Sequence, residues 1–446
     1  MTDGNSDKEK EIRSKIDALT KEFFKLKEDE KKFIPGKTKI QYSGPIFDEN
    51  EVNNVMSSLF DGWLASGKLT REFESLFAKF IGAKYCDTVD SGSSALTISL
   101  LATKNKGLKN PMKDGDEVIA SAMNHPATIN SILHNNLKPV LVDIDMKNYN
   151  FDINLVEKAI TDKTRGILPM HFLGNPCEMD QIMELAKKHD LFVVEDCCDA
   201  YGSKYKNKNV GTFGDFAGHS FYCAHMITTG NGGAITYDRP EYSAIIKSLR
   251  AWGRACVCPV CDVSLDPSYD CPTRFDSESK GFEGYDKRYM FTNIGYNSQI
   301  VEMQGAFAVA QMKRLPKFIE IRRKNFNMIV EGLKDYGDSL ILPEPTPESD
   351  PAWFALPLTV NPKAGFKRKE IVDFIEKHNI ETRPFFAGNL RNQPAYKGVD
   401  IKLAGVDTNT EMVKDNSFFI GCYPGITEEM IAYIVEVFGK FFKKYS

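Results

Sequence analysis

The chain has 446 residues, 42% hydrophobic and 26% charged, which is an ordinary globular composition with enough length to bury more than one core. A formal net charge of -4 and a pI near 6.1 offer no basic excess for nucleic acid or an anionic membrane. No apolar run approaches the roughly 20 residues of a spanning helix, and the polar, acidic first ten residues do not read as a secretory signal. The expected compartment is therefore the cytosol.

In chain order, residues 8–31 predict a charged amphipathic helix that Ile34-Pro35-Gly36 ends, within an N-terminal helical arm over 1–45. Residues 51–64 and 70–81 carry further helical periodicity. From about residue 85, short β-branched runs alternate with helical stretches. The predicted strands are 117–122, 139–145, 166–172, 191–196, 218–222 and Gly233–Tyr237, with helices over 154–160 and 178–189 between them. This alternation predicts an α/β fold with a mostly parallel sheet covered on both faces, in a large domain over 46–330. A charged helix over 298–332 leads away from it. After the Pro-rich stretch 343–351 comes a smaller α+β domain over 331–446, with a strand at 354–360, a helix at 367–378 and a final helix from Thr427.

Three motifs carry chemistry. Ser91-Gly92-Ser93-Ser94-Ala95 opens a helical run. A glycine turn at a helix start presents free N–H groups and hydroxyls to a phosphate, although the same residues also serve as a plain helix cap. Phe192-Val193-Val194-Glu195-Asp196 ends a predicted strand, where ligands of open α/β sheets bind. Asp196 there suits a protonated pyridine nitrogen, or caps the next helix. Third, Ser220-Phe221-Tyr222-Cys223-Ala224-His225-Met226 follows a strand and runs on to Gly232-Gly233.

In this order the motifs resemble the sugar aminotransferases of the DegT/DnrJ/EryC1/StrS family, which share the fold type I, aspartate-aminotransferase-like architecture of pyridoxal-phosphate (PLP) enzymes. In that family a lysine at the position of His225 holds the coenzyme as a Schiff base. This chain has no lysine between Lys208 and Lys247, so the usual transamination route is expected to be closed. A neutral imidazole can still move a proton near neutral pH; the alternative is a buried structural histidine.

A closer resemblance is to the iron–sulfur 3-dehydrases that act on CDP-4-keto-6-deoxyglucose in 3,6-dideoxysugar synthesis, within the same family. It is carried by Phe33-Ile34-Pro35-Gly36-Lys37, Leu173-Gly174-Asn175-Pro176, Glu195-Asp196-Cys197-Cys198-Asp199-Ala200, Val210-Gly211-Thr212-Phe213-Gly214-Asp215, Gly295-Tyr296-Asn297, Phe386-Ala387-Gly388-Asn389-Leu390 and Gln393-Pro394-Ala395-Tyr396. The resemblance implies a pyridoxamine phosphate (PMP) or PLP coenzyme bound by Gly92, Ser93, Ser94 and Ser220 at its phosphate and by Asp196 at its ring nitrogen. His225 would be the acid/base, with Asp199 and Tyr222 completing a dehydratase pocket. His125 stands where the family stacks an aromatic ring. Asn297 would reach the phosphate of a neighbouring subunit, so the implied state is a homodimer with shared sites.

Ten cysteines are many for a reducing compartment, where structural disulfides are disfavoured. Cys256, Cys258, Cys261 and Cys271 crowd one loop over 254–275 and suggest a metal or cluster site. Spacing alone leaves zinc and iron–sulfur both open. The resemblance implies a [2Fe–2S] cluster on Cys198, Cys256, Cys258 and Cys271, with Cys261 as a substitute for Cys271, and a flavin-containing iron–sulfur reductase as electron donor. It departs from the family at the longer 258–271 segment, at Met226 in place of a second histidine, at Asn231 in place of a glutamate, and at His125. The implied substrate is a nucleotide-linked 4-keto-6-deoxyhexose, with Arg288, Arg383 and Arg391 as candidates for its diphosphate. Two rival expectations are a cluster-free enzyme like the GDP-4-keto-6-deoxymannose 3-dehydratases, and a zinc-stabilised, non-catalytic sugar-nucleotide binder.

Overall fold

Strand-forming runs that helices separate in the sequence line up side by side in the computed structural model, which describes residues 3–29, 32–258, 269–277 and 279–445. The larger sheet has eight strands in the order Tyr85–Val89, Gly233–Tyr237, Phe216–Ser220, Phe192–Asp196, Thr164–Ile167, Glu117–Ser121, Lys138–Val142 and Lys402–Leu403. Gly233–Tyr237 runs antiparallel to both neighbours. The other pairings are parallel. Glu117–Ser121, Phe216–Ser220 and Gly233–Tyr237 are buried along their whole length, which is why they read as continuous runs and not as an alternation. Leu96, Ile129 and Ile246 belong to one helix-covered cluster on this sheet, and Val156, Ile182 and Leu185 to another.

A second sheet holds Leu340–Ile341, Ala355–Val360, Ser417–Gly421 and Arg383–Pro384 in antiparallel order. Helices Arg368–Lys377 and Glu428–Phe442 share its core through Ile371 and Ile434. The long helix Glu302–Leu333 joins the two cores, since Val309 and Phe318 pack with Phe73 and Phe77 while Phe326 and Ile329 pack with Leu356. The chain then returns. Leu390 N–H donates to Ala122 O at 3.2 Å, and Lys402–Leu403 joins the edge of the larger sheet.

Several elements differ from expectation. The strand expected over 166–172 is Thr164–Ile167; beyond it Met170 meets Asp196 only at an isolated bridge, and Leu173 turns away with φ of 46°. The strand expected over 218–222 is Phe216–Ser220, and the arm helix is Asp3–Asp29. Helix Pro126–His134 carries Pro at its first position, where the missing N–H has no partner to lose. Strand Tyr85–Val89 contains a charged Asp87 that is 1% exposed. Arg250 makes that tolerable: it bonds Glu74 at 2.7 Å and Asp87 at 2.9 Å, so a buried cation faces two carboxylates. Among the described residues no helix is long and apolar enough to cross a membrane.

Candidate active site

Three strand ends meet at the carboxyl edge of the larger sheet, the edge at which open α/β sheets bind ligands. Tyr85–Val89 leads into helix Gly92–Thr103, Phe192–Asp196 ends on Asp196, and Phe216–Ser220 ends on Ser220. The approach is close. A Cβ on Gly92 would lie 2.6 Å from the Ser220 Cβ and 2.9 Å from the Cys198 Sγ, and a Cβ on Gly233 would lie 2.4 Å from the Ser91 carbonyl oxygen. Only glycine fits at either place.

These ends open into a cavity of about 900 Å³. Of the predicted residues, Gly92, Ser93, His125, Asp196, Cys198, Asp199, Ser220, Tyr222 and His225 line it. Ser94 does not: it is the partner of the cap, donating its N–H to Ser91 Oγ at 3.1 Å and accepting the Ser91 hydroxyl at 3.0 Å. The serine-rich turn thus both caps the helix and walls the cavity, and Ser91 does both.

Asp196 is 4% exposed. Its Oδ2 accepts the Thr128 hydroxyl at 2.8 Å and its Oδ1 accepts Cys198 N–H at 3.2 Å, so its rotamer is fixed from two sides. His125 caps helix Pro126–His134, with Nδ1 accepting Ala127 N–H at 3.2 Å. That bond assigns its proton to Nε2. Phe386 meets the ring edge-on at 5.9 Å.

His225 Nδ1 lies 3.1 Å from Asp199 Oδ1, and both side chains are largely buried. The angle misses hydrogen-bond geometry, so the pair is a close electrostatic contact and not an aligned bond. Phe354 leans on the imidazole with ring centroids 5.5 Å apart. Tyr222 stands at the mouth, half exposed, with its N–H donating to Ser220 Oγ at 3.3 Å. Among the described residues no lysine lines the cavity.

Arg383 lines it too, over the Tyr42 ring at 4.6 Å and paired with Glu381 at 2.5 Å. Arg288 and Arg391 do not line it; they bond Asp286 at 2.7 Å and Asp407 at 3.5 Å. Asn297 is exposed, bridges Ala251 and lies outside this chain's cavity.

The cysteine set is only partly drawn together. Cys256 and Cys271 are half-buried and Cys258 is exposed, while Cys261 lies outside the described residues. No three of Cys198, Cys256, Cys258 and Cys271 lie within 4.8 Å of one another, whereas a tetrahedral zinc site holds its thiolates about 4 Å apart. The described residues hold one such close group, His171, Glu195 and Cys197. It is a structural buttress. His171 Nδ1 accepts Cys177 N–H at 3.0 Å, its Nε2 faces Glu195 at 3.2 Å, and the carboxylate accepts the N–H groups of Gly211, Phe213 and Gly214 at 2.8 Å each. Burial alone would raise the Glu195 carboxyl, but His171 and these donors hold it below its usual range.

Sequence reasoning missed Thr128, Phe354 and Tyr42 as parts of this site.

A family model for the DegT/DnrJ/EryC1/StrS aminotransferases matches residues 45–259 and 273–439. The chain belongs to this family. It is 39% identical to the lipopolysaccharide biosynthesis protein RfbH of Salmonella typhimurium, over 97% of this chain and 98% of that one. It is 41% identical to a dTDP-4-dehydro-2,6-dideoxy-D-glucose 3-dehydratase of Saccharopolyspora spinosa, over 93% of this chain and 89% of that one. With a GDP-4-keto-6-deoxy-D-mannose 3-dehydratase of Escherichia coli O55:H7 the identity is 32%, over 88% and 97%. The solved E. coli GDP-4-keto-6-deoxy-D-mannose-3-dehydratase with bound hydrated PLP superposes with a TM-score of 0.79 at 30% identity, covering 89% of this chain and 98% of that one. The fold expectation therefore holds: this is the PLP-dependent aminotransferase fold of the family. The CDP-sugar expectation is narrower than these relatives, whose names carry dTDP- and GDP-linked sugars.

The Gly92 contact yields a prediction. Gly92→Ala forces the turn away from Ser220 and lowers the unfolding free energy by about 1–3 kcal/mol. Urea denaturation reads this directly, and an unchanged midpoint contradicts the tight approach.

Proposed function

We propose that this protein is a B6-dependent nucleotide-sugar 3-dehydratase that holds PMP or PLP without a lysine link. The observation that carries the reading is the His225 imidazole beside Asp199, in a cavity that no lysine among the described residues lines. The residues fit the coenzyme. A glycine turn at a helix N-terminus suits its phosphate, the buried Asp196 suits its ring nitrogen, and the exposed His125 ring offers a stacking face.

When bound in its pyridoxamine form, the coenzyme would supply an amine for the sugar's 4-keto group and a ring that relays the electron pair left by the lost methylene proton toward sugar carbon 3, whose hydroxyl would leave as water. The chain's own residues do the rest. The N–H groups at Gly92 and Ser93 and the hydroxyls of Ser93 and Ser220 hold the phosphate. Asp196, fixed by Thr128, keeps the ring nitrogen protonated. With Nδ1 turned to Asp199, the Nε2 of His225 takes a proton from the coenzyme's methylene carbon. Asp199 faces the imidazole across a close electrostatic contact of 3.1 Å. Tyr222 closes the mouth. Arg383 meets the diphosphate of a nucleoside-diphosphate 4-keto-6-deoxyhexose, CDP-linked by sequence resemblance. In a homodimer, Asn297 completes the phosphate site of the neighbouring subunit.

His225→Asn tests this reading. Turnover falls about 10²- to 10⁴-fold while coenzyme affinity is retained. Activity within tenfold of the parent protein contradicts the assignment.

The finer proposal adds a [2Fe–2S] cluster on Cys198, Cys256, Cys258 and Cys271 and a flavin-containing iron–sulfur reductase as partner. Its support is the crowding of thiols at 256–271 and the place of Cys198 on the cavity wall. A second reading, a cluster-free dehydratase, is supported by the 32% identity with a GDP-4-keto-6-deoxy-D-mannose 3-dehydratase. Anaerobic metal and sulfide analysis decides between them. The cluster reading predicts about two irons and two sulfides per chain; an iron-free protein with full activity contradicts it.

A further inference from the structure

We infer that Arg322 is a positioning residue for His225, its guanidinium bridging the backbone carbonyls of His225 and Phe354, the two residues whose rings meet in the cavity wall. Arg322 lies on helix Glu302–Leu333 and is 1% exposed. Its Nη1 donates to Phe354 O at 2.8 Å and its Nη2 to His225 O at 3.1 Å. The guanidinium carbon also stands 5.9 Å from the centre of the Phe354 ring.

The two carbonyls belong to different sheets. His225 lies on the loop between strands Phe216–Ser220 and Gly233–Tyr237, and Phe354 directly precedes strand Ala355–Val360. One planar fork therefore fixes the backbone of the imidazole and the backbone of the ring that supports it. Its bonded acceptors are carbonyls and not carboxylates, and its Nε has no acceptor. Burial accordingly lowers the guanidinium pKa, opposed through space by Cys422, then Tyr201 and Asp199. A buried cation with neutral acceptors is a poor way to fill a core, whereas a rigid two-pronged donor is a direct way to hold two carbonyls in register.

This inference rests on His225 as the proton-moving group, and the test separates the two claims. The full-length protein is labelled with ¹⁵N-histidine, and its seven histidines are followed by long-range ¹H–¹⁵N spectra. His225 is assigned by the signal lost in His225→Asn. Arg322→Lys keeps the charge and loses the fork; Arg322→Met loses both, and where it does not fold the lysine variant carries the test. The expected result is a shifted or broadened His225 imidazole in Arg322→Lys, with the buried His171 and His219 signals unmoved. With it, kcat falls at least about tenfold while KM stays within about threefold. A His225 signal that does not move overturns the positioning role. A displaced His225 with undiminished kcat upholds the positioning role and overturns His225 as the proton-moving group.

Discussion

The near-contact of Gly92 with Ser220 sets the geometry on which the site depends. Two backbone segments approach until no Cβ can stand between them. That approach brings a helix N-terminus, with its unpaired N–H groups and positive dipole end, beside the hydroxyl that closes a neighbouring strand. Gly233 on the antiparallel strand permits the same closeness from the other side. Asp196 stands at the end of the strand next to Ser220's, so an anion site and a carboxylate face one cavity.

Within that frame the proposed chemistry turns on a single side chain. A lysine amine at residue 225 would tie a coenzyme aldehyde to the chain and open the route to amino-group exchange. An imidazole makes no such bond. In the proposed function it leaves the coenzyme held by its phosphate and ring nitrogen alone. The surroundings suit that role: Asp199 stands at 3.1 Å, Phe354 limits ring motion, and the loop's backbone is anchored from beneath.

Much of this was legible in the sequence, for identifiable reasons. Strands buried on both faces leave continuous apolar runs, so Gly233–Tyr237 and the run ending at Asp196 were readable directly. Gly92, Asp196 and Ser220 were readable because each sits at a strand end or turn whose local chemistry marks it. Strand Tyr85–Val89 was not, because its buried Asp87 makes sense only once Arg250, far away in the chain, is seen to pair with it. Thr128 was hidden behind Pro126, which reads as a breaker although it starts a helix. Its bond to Asp196 spans 68 residues and leaves no local trace. Ser94, which the resemblance placed at the coenzyme phosphate, bonds to Ser91 in the helix cap. Asn297 lies outside this chain's cavity, and no three of Cys198, Cys256, Cys258 and Cys271 form a close group.

The most direct test of a coenzyme held without a covalent link is borohydride treatment of the coenzyme-loaded protein, followed by denaturation and intact-mass analysis. The account predicts the mass of the unmodified chain, with all of the coenzyme released. A chain heavier by one reduced coenzyme, mapped to a lysine, would contradict it.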